Sequence, residues 1–251
     1  FQRLAFRTLV RKYDCDLCYT PMIIAADFVK SVKARDSEFT TNQGDRPLIV
    51  QFAAKEAQVL ADAASLVSPF ASGIDLNCGC PQRYTTCKSV FFFIFKRSPT
   101  CFSFLWAYIM YWFVTRINIF VRIHADISRT VDLCRKAEAA GVSWITVHGR
   151  THDERHQPVH YDAIKSIKES LSIPVVANGD VKSLKEAENI REITGADGVM
   201  AARGLLANPA MFAGYEETPL ACIQDWIDIT LEHGTPFTCL HHHLIYMMER
   251  I

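Results

Sequence analysis

Short runs of β-branched and aliphatic residues, each ending on a polar or glycine-bearing tip and followed by a helical pattern, recur along this chain. That alternation constrains the fold more than any other feature. Strands joined through helices run parallel, and a parallel sheet must be covered on both faces. The spacing predicts strands over Leu17–Ile24, Leu48–Ala53, Ile74–Asn77, Phe120–His124, Trp144–Val147, Pro174–Ala177 and Gly198–Ala202. It predicts helices over Leu4–Tyr13, Ala57–Val67, Ser128–Ala140, Tyr161–Leu171 and Leu184–Ile193. Ser128 and Ser183 are expected N-caps, Gly141 is an expected C-terminal stop, and Ser183 to Glu186 has capping-box spacing.

An alternation of this kind over 251 residues predicts an α/β architecture, the (β/α)8 TIM barrel. The count reaches seven strands where about eight are needed, and helix Leu4–Tyr13 has no strand before it. The barrel is therefore expected to be incomplete at the N-terminus. After Asn208-Pro209 the pattern changes, and Leu220–Leu231 and Phe237–Arg250 read as two helices with no strand between them. The expected organisation is a barrel over 1–214 and the start of a helical C-terminal domain over 215–251.

Residues Tyr84–Phe120 break the pattern. They contain no acidic residue, lack a helical alternation of polar and apolar positions, and carry Phe91-Phe92-Phe93-Ile94-Phe95. The apolar stretch Phe102–Val114 is about 13 residues, short of the roughly 20 needed to cross a bilayer. The segment reads as foreign to the barrel, and no membrane association is expected.

The chain carries 27 basic and 27 acidic residues, so its net charge exerts no global pull on a phosphate backbone. Nucleic-acid binding must then come from a local patch. Nine cysteines, an odd number without a disulfide-like spacing, and no signal-peptide pattern lead to an expectation of a reducing, cytoplasmic compartment.

Polar residues gather at the predicted strand ends: Gln51, Asn77, Cys80, His148, Arg150, Asn178, Asp180 and Arg203. In a parallel barrel that rim is where chemistry takes place. The string Asp75-Leu76-Asn77-Cys78-Gly79-Cys80-Pro81 is the most informative. Read alone, Cys80 is a small buried hydrophobe, the usual fate of a free cysteine. At a strand end beside Asn77 and Gly79 that reading is less favoured, and the thiol has an ordinary pKa of about 8.5.

That string resembles the N-x-G-C-P signature of the tRNA-dihydrouridine synthase family. Tyr19-Thr20-Pro21-Met22, Gln51, His148-Gly149-Arg150-Thr151, Asn178-Gly179-Asp180 and Ala202-Arg203-Gly204 resemble the family in order and spacing. The likeness covers about Leu4–Gln82 and Val121–Ile251 and is strongest to eukaryotic members acting on the D-loop of cytosolic tRNA. It implies FMN at the top of the barrel, NADPH as reductant and uridine in tRNA as substrate. Hydride would reach C6 of the uracil, and Cys80 would protonate C5 from the opposite face. The resemblance implies that Gln51 meets the flavin ring edge and that His148 lies near the flavin and its phosphate. Asn178, Gly179 and Asp180 would hold the ribityl–phosphate arm, and Ala202, Arg203 and Gly204 would close around the phosphate. Asn77 and Arg150 are the expected substrate contacts. Aligned on Val121-Arg122-Ile123-His124, Phe120 stands where the family carries a lysine that reaches the flavin.

The alternatives left open are an inactive product of such a gene and another FMN-dependent barrel oxidoreductase acting on a small pyrimidine. Cys15 and Cys18 have half the spacing of a zinc site but no convincing second pair. The run His241-His242-His243 does not share one helical face, and Arg3, Arg7 and Arg11 read as a solvated helix face. No metal is expected, and a monomer is.

Overall fold

A computed structural model describes residues 3–79 and 116–249. Cys80 and most of the atypical segment lie outside the described residues.

The strands are β1 (Cys18–Tyr19), β2 (Ile23–Ile24), β3 (Leu48–Ala53), β4 (Gly73–Asn77), β5 (Arg116–Arg122), β6 (Trp144–His148), β7 (Val175–Asn178) and β8 (Gly198–Met200). They form one sheet in the order β1-β3-β4-β5-β6-β7-β8, with β2 also on β3 and every pairing parallel. This is the expected TIM-barrel arrangement, with seven strand positions. Leu17–Ile24, expected as one strand, is split into β1 and β2 around Thr20-Pro21-Met22. Pro21 has no N–H to give a ladder.

One expectation is corrected at β5. Arg116–Ile119, assigned to the foreign segment, are barrel strand and pair with Gly73–Leu76. Ile117, Ile119 and Val121 are buried on one face, and Asn118, Phe120 and Arg122 take the other. The alternation puts Asn118, Phe120 and Arg122 toward the lumen and the aliphatic residues toward the helices.

The same division holds around the sheet. Leu48, Val50, Phe52, Ile74, Ile145, Val147, Val175 and Ala177 belong to one buried apolar cluster. The opposite parity forms lumen rows read from the strand register. One row is Gln51, Asp75, Asn118 and Trp144. The next is Asn77, Phe120, Thr146, Val176 and Gly198. The uppermost is Arg122, His148, Asn178 and Met200. Among the described residues no strand joins β8 to β1. A cleft of about 420 Å³ opens between those edges onto Gln51, Asn77 and Phe120.

The helices are α1 (Leu4–Lys12), α2 (Ala25–Lys30), α3 (Val32–Glu38), α4 (Ala57–Val67), α5 (Ile127–Ala139), α6 (Tyr161–Glu169), α7 (Leu184–Thr194), α8 (Arg203–Ala207), α9 (Leu220–Glu232) and α10 (Phe237–Met248). The short α2 and α3 were not expected, because one or two turns are too brief to show a period. Asp126, not Ser128, caps α5: its carboxylate accepts from the Ser128 N–H at 3.1 Å. Ser183 caps α7 as expected, accepting from the Glu186 N–H at 3.1 Å. The Glu186 carboxylate reaches past it to the Lys182 N–H at 2.8 Å.

The arginine face of α1 is also corrected. Arg7 is buried and makes an ion pair with buried Asp45 at 2.7 Å, while Arg11 reaches the same carboxylate at 3.4 Å. The guanidiniums clamp α1 to the chain leading into β3 instead of facing solvent. Helices α9 and α10 close over α1, with Trp226 fully buried and the His243 ring stacked on Phe6 at 4.5 Å. His243 is therefore core, whereas His241 stacks on exposed Phe237.

Candidate active site

The register that builds the lumen rows also brings the rim residues together. Gln51 on β3 lies beside Asp75 on β4, and its Nε2 donates to Asp75 Oδ2 at 2.8 Å. Its Oε1 accepts from Asn77 Nδ2 at 3.0 Å. Asn77 Oδ1 in turn accepts from the Gly79 N–H at 3.0 Å. A Cβ on Gly79 would come within 3.1 Å of Arg122 N and 3.2 Å of the Phe120 ring, so glycine lets this loop lie against β5. Phe120 sits between Asn77 and Thr146, facing the lumen.

A second group stands at the ends of β6, β7 and β8. Gly179 adopts φ 143°, and Asp180 adopts the left-handed φ of 48°. A Cβ on Gly179 would meet Val159 at 2.8 Å. The turn aims the Asp180 carboxylate between two guanidiniums. One oxygen accepts from Arg203 at 2.7 Å, and the other makes a short ion pair with Arg150. The bond from Arg150 holds the Asp180 carboxyl below the ordinary carboxylate range.

Arg150, an expected substrate contact, is turned inward in this structure. Its side chain is 2% exposed, and its Nε donates to the Gln157 carbonyl at 2.5 Å. It braces Asp180 from within the protein. Gly204 is buried with Val181 O 2.1 Å from where a Cβ would sit, so its role is close packing of α8 onto the β7–α7 loop. Ala202 and Arg203 are exposed at the start of α8.

His148 lies between Arg122 and Asn178. Burial, then the nearby Arg122 and Arg150, push its pKa down to about 4, so the ring is neutral at physiological pH. Its Nδ1 is buried with no hydrogen-bond partner. Asn178 Nδ2 donates to the Met200 carbonyl at 2.8 Å, tying β7 to β8. His148, Asn178, Gly179, Asp180, Ala202, Arg203 and Gly204 all line one cleft of about 710 Å³. It shares Asn178, Met200 and Ala202 with the lumen opening that holds Gln51 and Asn77. Nine of the expected residues thus border two adjoining clefts, Arg150 lies behind them, and Cys80 is outside the described residues.

The sequence reading missed Asp75, Asn118 and Arg122. Each is a polar residue two positions from a predicted lumen residue on the same strand, so the period of two carried the signal. Asp75 is fully buried, and burial raises its pKa to about 7. Tyr19 closes this floor from β1, its hydroxyl accepting from the Trp144 indole N–H at 3.2 Å. No group of three or more metal-ligating side chains occurs among the described residues.

A parallel barrel with convergent amides, a neutral histidine under arginine fields and a long rim cleft defines an enzyme-type, ligand-binding α/β barrel. Fold alone does not select its chemistry. Family comparison does. The profile described as dihydrouridine synthase (Dus) matches residues 2–251. The mouse protein named "tRNA-dihydrouridine(20a/20b) synthase [NAD(P)+]-like" is 67% identical over 253 residues, covering all of this chain and 78% of the relative. The human protein of the same name is 66% identical and 80% covered. The Saccharomyces cerevisiae protein named "tRNA-dihydrouridine(20a/20b) synthase [NAD(P)+]" is 42% identical over 257 residues, with 70% of it covered. This chain belongs to the dihydrouridine synthase family, an oxidoreductase family.

Proposed function

We propose that this chain reduces the C5=C6 bond of uridine in tRNA, with FMN bound across the two clefts, NADPH as reductant and Cys80 as the acid. The observation that carries the reading is the family match over residues 2–251, joined to a rim that keeps the family's polar residues in contiguous clefts. The relatives named for tRNA and NAD(P) support the substrate and the reductant. The small-pyrimidine alternative has no such support.

The residues fit a flavin mononucleotide. The unpartnered His148 Nδ1, in the field of Arg122, Arg150 and Arg203, suits an anionic phosphate arm. Gln51 keeps amide valences beyond the bonds named above, which suits the polar edge of a planar heterocycle. A bound flavin would supply hydride to the pyrimidine. The protein's own part is to orient, exclude water and move one proton. Asn77 is proposed to hold the uracil edge. Cys80, three residues on, is proposed to deliver a proton to C5, a task that needs the thiol rather than the thiolate at neutral pH. Arg150 acts through Asp180, keeping the Asn178-Gly179-Asp180 turn in place.

The test is Cys80→Ala in the purified, flavin-loaded chain. Visible absorbance should show flavin retained while dihydrouridine formation in tRNA is lost. An alanine variant as fast as the parent would remove the acid assignment. A parent that holds no flavin and reduces no tRNA would remove the activity itself.

A further inference from the structure

A side-chain amide can face either way round, and what settles its orientation is a neighbour able only to accept or only to donate. The Gln51 and Asn77 amides lie between two such neighbours. At the lower end is the Asp75 carboxylate, which when ionised only accepts, and at the upper end is the Gly79 N–H, which only donates. Between them every bond has the same polarity: Gly79 N–H to Asn77 Oδ1, Asn77 Nδ2 to Gln51 Oε1, Gln51 Nε2 to Asp75 Oδ2. The chain of bonds climbs the lumen wall to the Cys78–Gly79 peptide.

We propose that Asp75 is a positioning residue of this enzyme: its carboxylate anchors from below the chain that the Gly79 N–H anchors from above, and so holds the Gln51 and Asn77 amides in one orientation toward a ligand. The proposal rests on the function proposed above.

Stability does not explain this carboxylate. Asp75 is fully buried, its Oδ1 has no hydrogen-bond partner, and its named partner is a neutral amide. A carboxylate so placed is unfavourable relative to an apolar side chain of similar size. Its neighbours are Gln51 on β3, Asn118 on β5 and Tyr19 on β1. Only Tyr19 of these titrates, and burial, then the Asp75 charge, push its hydroxyl upward, so it stays neutral. Asp75 therefore changes charge near pH 7 while none of these described neighbours does. Once protonated it can donate as well as accept, so the chain loses one of its two anchors and only the Gly79 N–H still fixes its polarity.

The test compares the parent with Asp75→Asn and Asp75→Leu, all carrying flavin. Asparagine keeps the shape but offers both donor and acceptor; leucine removes the polar group and suits burial. Both variants should bind flavin and fold. Each should lose about 10-fold or more in kcat at pH 8, with KM for tRNA within about twofold, because displaced reacting groups cost rate rather than surface binding. The parent's kcat should fall as pH drops through about 7, and that limb should be absent from both variants. Side-chain amide NMR of the parent should show Gln51 and Asn77 shifting together near pH 7, with no such shift in Asp75→Leu. Unchanged kcat and pH profile in the variants, or parent amides that do not titrate together, would overturn the proposal. If the parent reduces no tRNA but its amides titrate together, the positioning chain stands and the proposed activity fails.

Discussion

Gly204→Ala probes the join between fold and site most directly. At present Val181 O lies 2.1 Å from where the new methyl carbon must sit, with Lys182 Cα at 3.1 Å. Both neighbours are backbone, so no side chain can swing away. Reaching even the 3.0 Å that real contacts keep requires α8 and the β7–α7 loop to part by about 0.9 Å. Overpacking of that kind costs about 1–3 kcal/mol. Replacing a helical glycine by alanine returns about 0.5–1 kcal/mol. Mid-range values leave a net loss of about 1 kcal/mol, or about 2–4 °C in Tm for a chain of this size. The functional effect should be larger than the stability effect suggests, because the two parted segments are the walls of the 710 Å³ cleft. Flavin binding, followed by fluorescence titration, should weaken about 10-fold or more, equivalent to at least about 1.4 kcal/mol. A variant with the parent's Tm and the parent's flavin affinity would refute the claim that Gly204 is there for close approach.

Asp45→Ala leaves buried Arg7 without its counter-ion and should lower stability by about 3–5 kcal/mol in denaturant titration. The double change Arg7→Met with Asp45→Leu should recover most of that loss. Asp180 has its pKa lowered in the folded state by Arg150, so it stabilises the fold above the ordinary carboxylate pKa of about 3.9. That contribution is lost as pH falls through the lowered value, and thermal melts of Asp180→Asn should lack this acid limb. Asp75 is the opposite case. Its folded pKa is raised to about 7, so stability falls as pH rises from about 4 toward 7, and Asp75→Leu should melt higher than the parent at pH 8. Phe120→Lys would set a cation in the lumen row beside Asn77; a faster tRNA reduction would show that the phenyl ring limits the chemistry.

Much of the fold is legible in the residues because strand and helix periods are local. Val175–Asn178 and Tyr161–Glu169 emerge within a residue or two of their predicted bounds, since each carries its own apolar parity. The errors have physical causes. Arg116–Ile119 were set aside with the rest of Tyr84–Phe120 because that segment lacks a helical alternation, a test that a strand with a period of two does not meet. Arg7 looked solvated because nothing near it in sequence announces Asp45, 38 residues away. The burial of Arg150 was not legible, because its place at a strand end says nothing about which way the guanidinium turns.

The order of elements, the parallel pairing, the glycine turns and the cysteine string follow from the sequence alone, because each depends on neighbours a few residues apart. The direction of each rim side chain, and the amide chain from Asp75 to Gly79, depend on contacts between strands. Only tertiary structure decides those, since the side-chain parity of one strand acquires meaning when the register of the next is set beside it.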